Sequence, residues 1–206
     1  GREVDWPLGP GDGAGYVDGE IGIALVARDV DRFRAAAGEC IADEWIELLL
    51  GWTRRYPIVS IEDPLGEDDG EGFARFTAAA GGRLQIVGDD FLVSDAALVR
   101  EAAARGAANT VLLKPNQRGT LTETLAAWRA AQEVGYAGIV SARSGESEDT
   151  TIVHLAVGWG VGQLKVGSFA RSERMAKWNE ALRIEERLGA RARFAGAAAF
   201  GRSRVR

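Results

Sequence analysis

The sequence predicts an α/β protein whose parallel sheet curls into an incomplete (β/α)8 barrel of the TIM type, with about six βα units. Three observations carry this reading. Short apolar runs recur from residue 20 onward, separated by longer stretches rich in Ala, Glu and Arg. The runs are apolar along their length rather than alternating, as strands covered on both faces tend to be. A complete barrel needs eight strands and typically about 250 residues, whereas this chain has 206 residues and six visible units.

The strands are read in order as "IGIALVA" (21–27), "PIVSIED" (57–63), "LQIVGDD" (84–90), "NTVLLKP" (109–115), "AGIVSAR" (137–143) and "GQLKVGS" (162–168). Helical segments lie between them. "DEWIELLLGWTRR" (43–55) places Trp45, Leu48, Leu49 and Trp52 at helical spacing on one face. "SDAALVREAAARG" (94–106) opens on a Ser–Asp cap signal and closes at Gly106. "TLTETLAAWRAAQEVG" (120–135) and "SERMAKWNEALRIEERLG" (172–189) follow the same grammar. Alternating β and α units imply helices packed outside a parallel sheet. Residues 1–19, rich in Gly and Pro, are read as a loop or linker, and 20–206 as one partial-barrel domain. An incomplete barrel exposes strand edges. Three arrangements answer that hazard: the N-terminal segment covers the gap, another chain covers it in an oligomer or hetero-assembly, or the sheet stays open.

Bulk properties narrow the class of function. Apolar content of 46% and charged content of 27% are ordinary for a globular protein. A net charge of −5 provides no basic field, so nucleic acid is not an expected partner. One cysteine, Cys40, cannot form an internal disulfide framework and fits a reducing compartment. No apolar run approaches the roughly 20 residues of a membrane span, and "GREVDWPLGPGDGAG" has no apolar signal-peptide core. The expectation is a cytoplasmic protein without a membrane partner.

Chemistry in parallel α/β architectures gathers at the C-terminal ends of strands. Those ends carry Glu62 and Asp63, Asp89 and Asp90, Lys114, Arg143 with Ser144, and Lys165. Singly, each is an ordinary solvated loop residue, and "GDD" alone is a turn. Together, five consecutive strands deliver two acidic and three basic ends to one edge. That pattern suits a divalent cation held by carboxylates and an anionic ligand held by cations. His154 lies in a helical stretch away from any strand end and is read as structural. Met175 and the six tryptophans are read as packing residues, and "RARFAGAAAFGRSRVR" as a solvated tail.

At these residues the sequence resembles the enolase family, the glycolytic phosphopyruvate hydratases. The resemblance rests on "SIEDPL" (60–65), "QIVGDD" (85–90), "LLKPNQRGTLTET" (112–124), "SARSGESEDT" (141–150), "GQLKVGSFARSERMAKWNEALRIEE" (162–186) and "FAGAAAFGR" (194–202), in order. "AGYVDGEIGIALV" (14–26) is similar to the approach to the family's third barrel strand. The resemblance implies that Glu62 and Asp89 are two of three Mg2+ ligands and that Lys114 is the base that takes the proton beside the substrate carboxylate. It implies that Arg143 and Ser144 grip the substrate phosphate and that Lys165 neutralises the carboxylate. The implied activity is a magnesium-dependent lyase that interconverts 2-phosphoglycerate and phosphoenolpyruvate. The physics is coherent, because cations near the carboxylate stabilise the charge that builds up when the adjacent proton leaves.

The sequence departs from the family pattern at two places. The third metal-ligand Asp of "IALD" is Val26 in "IALV", and the active-site His of "SHRSGE" is Ala142 in "SARSGE". The family's general-acid glutamates belong to a part that precedes the matched region. Magnesium can be held by one or two carboxylates plus substrate oxygens, while loss of a general acid costs about 10²–10⁴-fold in rate. The alternative expectation is therefore a non-catalytic relative, or pseudoenzyme, that binds a small phosphorylated carboxylate or serves as an interaction or structural module.

Overall fold

A computed structural model describes residues 14–17, 20–26 and 42–200, the first two segments as backbone. The elements are β1 (Ala14–Val17), β2 (Glu20–Val26), α1 (Ala42–Arg55), β3 (Ile58–Glu62), α2 (Gly70–Ala80), β4 (Gln85–Gly88) and α3 (Ala96–Ala104). They continue with β5 (Thr110–Leu113), α4 (Pro115–Arg118), α5 (Leu121–Val134), β6 (Ala137–Ser141), α6 (Thr151–Gly158), β7 (Leu164–Lys165) and α7 (Ser172–Leu188). Two 3-10 turns follow, Gly189–Arg191 and Gly196–Phe200. Cys40 and Ala27 lie outside the described residues.

The strands form one sheet in chain order, β1 to β7. Strands β2 to β7 pair in parallel, and only β1–β2 is antiparallel. The six-unit incomplete barrel expected from the sequence is the observed architecture. One difference lies at the start. Residues 14–17 were expected to be loop but form β1, paired with β2 from Ala14↔Ile23 to Val17↔Glu20. Asp18-Gly19 separates the last pair in sequence, and Asp-Gly is a strong hairpin signal. Residues 1–13 and 18–19 of the expected linker lie outside the described residues. Part of the N-terminal segment thus covers the outer edge of β2.

Side-chain alternation divides the sheet into two faces. Ile61, Ile86, Val111, Leu113 and Val140 join the helices in one large core that includes Leu49, Phe73, Phe76, Val99 and Ala131. The intervening residues Val87, Leu112 and Ile139 form a separate small cluster on the other face. That face is the concave interior. Below the apolar layer Ser60 donates to Gln85 Oε1 at 3.0 Å, both residues being buried. Continuing the period of two past the apolar layer puts Glu62, Asp89, Lys114 and Lys165 on the same concave face, at the strands' C-terminal ends.

Local sequence explains the helices. Asp95 caps α3 by accepting from the N–H groups of Ala97 and Leu98. Thr120 and Glu123 begin α5 as a capping pair, with Glu123 N donating to Thr120 Oγ1 at 3.2 Å. Gly135, at φ 78°, ends the helix in the left-handed conformation that glycine tolerates. On α1 the expected face is rotated. Leu48 is 44% exposed, and the buried stripe is Ile46, Leu49 and Leu50. Trp45 and Trp52 flank the stripe edge to face, 6.0 Å apart. Of the stretch read as a solvated tail, Arg191 and residues 193–195 are exposed, Gln163 Nε2 donates to Ala199 O at 2.7 Å and ties the last 3-10 turn to the residue before β7, and residues 201–206 lie outside the described residues. Among the described residues, no helix is long and apolar enough to cross a membrane.

Gly138 lets α5 approach the sheet. A Cβ there would lie 2.6 Å from the Trp128 ring and 3.0 Å from Val161. Overpacking of this kind costs roughly 1–3 kcal/mol. Gly138→Ala is expected to lower the unfolding free energy by that amount, read as a lower urea midpoint with an unchanged slope by far-ultraviolet circular dichroism.

Candidate active site

Each sequence-predicted residue sits on or immediately after the C-terminal end of its strand. Glu62 ends β3, Asp89 follows β4, Lys114 follows β5, Arg143 lies two residues past β6, and Lys165 ends β7. Glu62, Asp89 and Lys114 are buried, whereas Ser144 is exposed. Buried charges persist only when paired, because transfer out of water is costly. Here the pairing is direct. Lys114 Nζ donates to Asp89 Oδ2, and Lys165 Nζ donates to Glu62 Oε2.

The second pair spans the mouth. Strands β3 and β7 are four places apart in the sheet. In a flat sheet that separation is about 19 Å, far beyond the reach of a lysine–glutamate bond. The sheet therefore curls until its two sides share a rim.

Each carboxylate in these pairs uses one oxygen only. Glu62 Oε1 and Asp89 Oδ1 are buried and have no hydrogen-bond partner. Burial pushes the Glu62 carboxyl up from its ordinary value, against the pull of Lys165. Two unsatisfied carboxylate oxygens on neighbouring strands form a donor set of the hard-oxygen kind that suits Mg2+ or Ca2+. Asp63, Asp89 and Asp90 also bring carboxylate oxygens within 4.8 Å of one another. Asp63, however, is committed to the backbone: it accepts from Asp89 N at 2.8 Å and Asp90 N at 2.9 Å.

The loop after β4 sets Lys114. Val93 and Ser94 have φ of 40° and 54°, costly for a β-branched residue and for serine. The strained turn buries the Ser94 hydroxyl, which donates to Leu112 O at 2.9 Å and accepts from Lys114 N at 2.8 Å. Past β6, Arg143 Nη1 lies 3.4 Å from Asn116 Oδ1 on α4, and Arg143 N donates to Glu146 Oε1 at 2.7 Å. Ala142 is buried beside them. At the opposite end of the set, Val26 pairs in register with Glu62.

The fold, the strand-end residues and the orphaned carboxylate oxygens converge on one family. A family model described as enolase, C-terminal TIM barrel domain, matches residues 18–203. The chain belongs to the enolase family. For this enolase barrel, the strand ends were legible in the sequence, but their partners were not. Asp63 is visible as a strand-end acid and Ser94 as part of a cap signal, but not the backbone groups that they bind, and Arg174 and Lys177, which hold the Arg143–Ser144 loop from α7, lie far from it in sequence. Both fall within the stretch 162–186 that carries the resemblance, but nothing in that stretch says that they reach the loop after β6. His154 stands apart from the strand ends on α6, with Nε2 3.3 Å from Glu180 Oε1 on α7.

Burial pushes the Asp63 carboxyl up from 3.8 to about 7, with the negative Asp89 and Glu62 adding to the effect and the backbone N–H bonds opposing it. A raised carboxyl binds a proton in the folded state that the unfolded chain has released. Its stabilising contribution is complete below the unfolded value near pH 4 and lost as pH rises through about 7. In chelator-treated protein, Asp63→Asn is expected to remove this slope. The wild type should lose stability relative to the variant between about pH 4 and pH 7, measured by urea unfolding. Parallel profiles would contradict the assignment.

Proposed function

We propose that the barrel carries enolase-type lyase chemistry, interconverting 2-phosphoglycerate and phosphoenolpyruvate with Mg2+ in glycolysis, at a rate lowered by Val26 and Ala142. The observation that supports this most is the pair of buried carboxylates, each sharing one oxygen with a lysine and leaving the other unpartnered. Residues built only for stability do not leave buried charged oxygens unsatisfied. Glu62 and Asp89 would hold Mg2+ through those oxygens. When bound, the metal supplies positive charge that neutralises the substrate carboxylate as charge builds on it.

The chain's own residues do the rest. Lys114, in its neutral form, accepts the C2 proton of 2-phosphoglycerate at Nζ. The C2–H electron pair forms the new C2–C3 double bond as the C3 hydroxyl leaves. That hydroxyl takes a proton and departs as water; the resemblance places the acid that gives this proton outside the matched region. Lys165 exchanges Glu62 for the substrate carboxylate and holds it by charge. Arg143 and Ser144 hold the phosphate, the guanidinium contributing two donors in a plane. Burial of Lys114 and Asp89 lowers the local dielectric around their charges and strengthens the interactions that they make.

A second reading has its own support. Val26, in register with Glu62, offers no carboxylate, and the Ala142 side chain offers no polar atom. On that reading the protein binds a small phosphorylated carboxylate without turning it over. One assay separates the two. Adding 2-phosphoglycerate to concentrated protein with Mg2+ is expected to raise enolpyruvate ultraviolet absorbance, and chelator or Lys114→Ala should reduce the rate by about 10²-fold or more. Calorimetric binding of phosphoenolpyruvate with no absorbance rise would favour the binding protein.

A further inference from the structure

Two fully enclosed cations on α7 have no place in the chemistry described so far. Arg174 and Lys177 are 6% and 0% exposed. They lie three residues apart, on one face of the helix. Lys177 Nζ donates to Ser147 O at 2.7 Å and pairs with Glu146 Oε2 at 2.9 Å. The other Glu146 oxygen accepts from Arg143 N. Lys177 thus fastens the loop that carries Arg143.

Arg174 does something more specific. Its guanidinium forks, with Nη1 donating to Val166 O and Nη2 to Ser144 O, both at 2.9 Å. Ser144 belongs to the loop after β6, and Val166 immediately follows Lys165. Gly167, at φ 100°, lies beside the Arg174 side chain, where a Cβ would be 3.7 Å from Nε. A second tie runs in parallel, since Ala142 N donates to Lys165 O at 2.9 Å. A guanidinium is a rigid plane, so its two acceptors are held at a fixed separation that a lysine cannot impose. The two loops it joins are the ones that end in the phosphate grip and the carboxylate grip.

We propose that Arg174 is a positioning residue that fixes the spacing between Arg143–Ser144 and Lys165, so that the site selects ligands with a phosphate ester on the carbon next to a carboxylate. This rests on the roles given to those three residues under the proposed function. Two grips at the right spacing bind one two-ended ligand far better than either end alone, because the second contact is intramolecular. Loosening the spacing removes that advantage and leaves each grip intact.

Calorimetry with phosphoenolpyruvate and with inorganic phosphate, each with Mg2+ present, tests this. The wild type is expected to bind phosphoenolpyruvate more tightly than phosphate. Arg174→Lys should weaken phosphoenolpyruvate by about tenfold and phosphate by less than about twofold. Gly167→Ala is the second variant. Its strained backbone should displace the Val166 carbonyl while Arg174 stays in place, and the same selective loss is expected. Thermal unfolding of each variant reports whether the fold persists. Equal weakening of both ligands, or no change in their ratio in a folded variant, would overturn the role of Arg174. A wild type that shows no preference for phosphoenolpyruvate would instead overturn the reading of the site itself.

Discussion

The bond between Lys165 and Glu62 constrains everything around it. Its ends lie on strands four places apart, so it can exist only because six parallel strands twist and curl into most of a barrel. The curl brings the strand ends to one rim. There, charges that would be solvated singly become buried neighbours. Burial then demands pairing, since a lone buried carboxylate or ammonium is costly by several kcal/mol. Lys114 with Asp89 and Lys165 with Glu62 meet that demand with one oxygen per carboxylate. The remaining oxygens are what make the rim more than a set of salt bridges.

Support for the rim comes from residues without charge chemistry of their own. Strained Val93 and Ser94 fix the backbone of Lys114. Asp63 uses both its oxygens to fold the chain after β4 back against β3. Outside the barrel, α7 sends Arg174 and Lys177 inward to the loop after β6. The buried residues of this helix are Arg174, Lys177 and Glu180, so its inward face is charged, and its two buried cations order a loop. The interior below the rim is apolar at Val87, Leu112 and Ile139. On β4 Val87 lies between Gln85 and Asp89, whereas on β3 Glu62 directly follows Ser60 on that face.

Much of this was legible in the sequence, for identifiable reasons. The strands were visible because both faces are covered, which leaves continuous apolar runs such as "TVLL". The site residues were visible because each follows such a run directly. The hairpin strand β1 was missed, because a four-residue strand in a Gly-rich stretch has too little pattern to register. The face of α1 was misplaced by one position because two tryptophans dominated the pattern, although they flank the buried stripe rather than centre it. The pairing of lysines with carboxylates could not be read at all. It depends on which strands the curl brings together, and that is a property of the closed shape rather than of any local segment.

Val26 and Ala142 give the account its sharpest question. The backbone register puts Val26 beside Glu62, and Ala142 sits next to the phosphate grip, so both changes fall at the rim itself. Whether the rim still takes a metal depends on Glu62 and Asp89 alone among the described strand ends argued to hold it. Calorimetric titration of Mg2+ into the wild type, Glu62→Gln and Asp89→Asn measures this directly. The account predicts a single saturable site in the wild type, weakened about tenfold or more by either substitution. Equal affinity in all three proteins would contradict it.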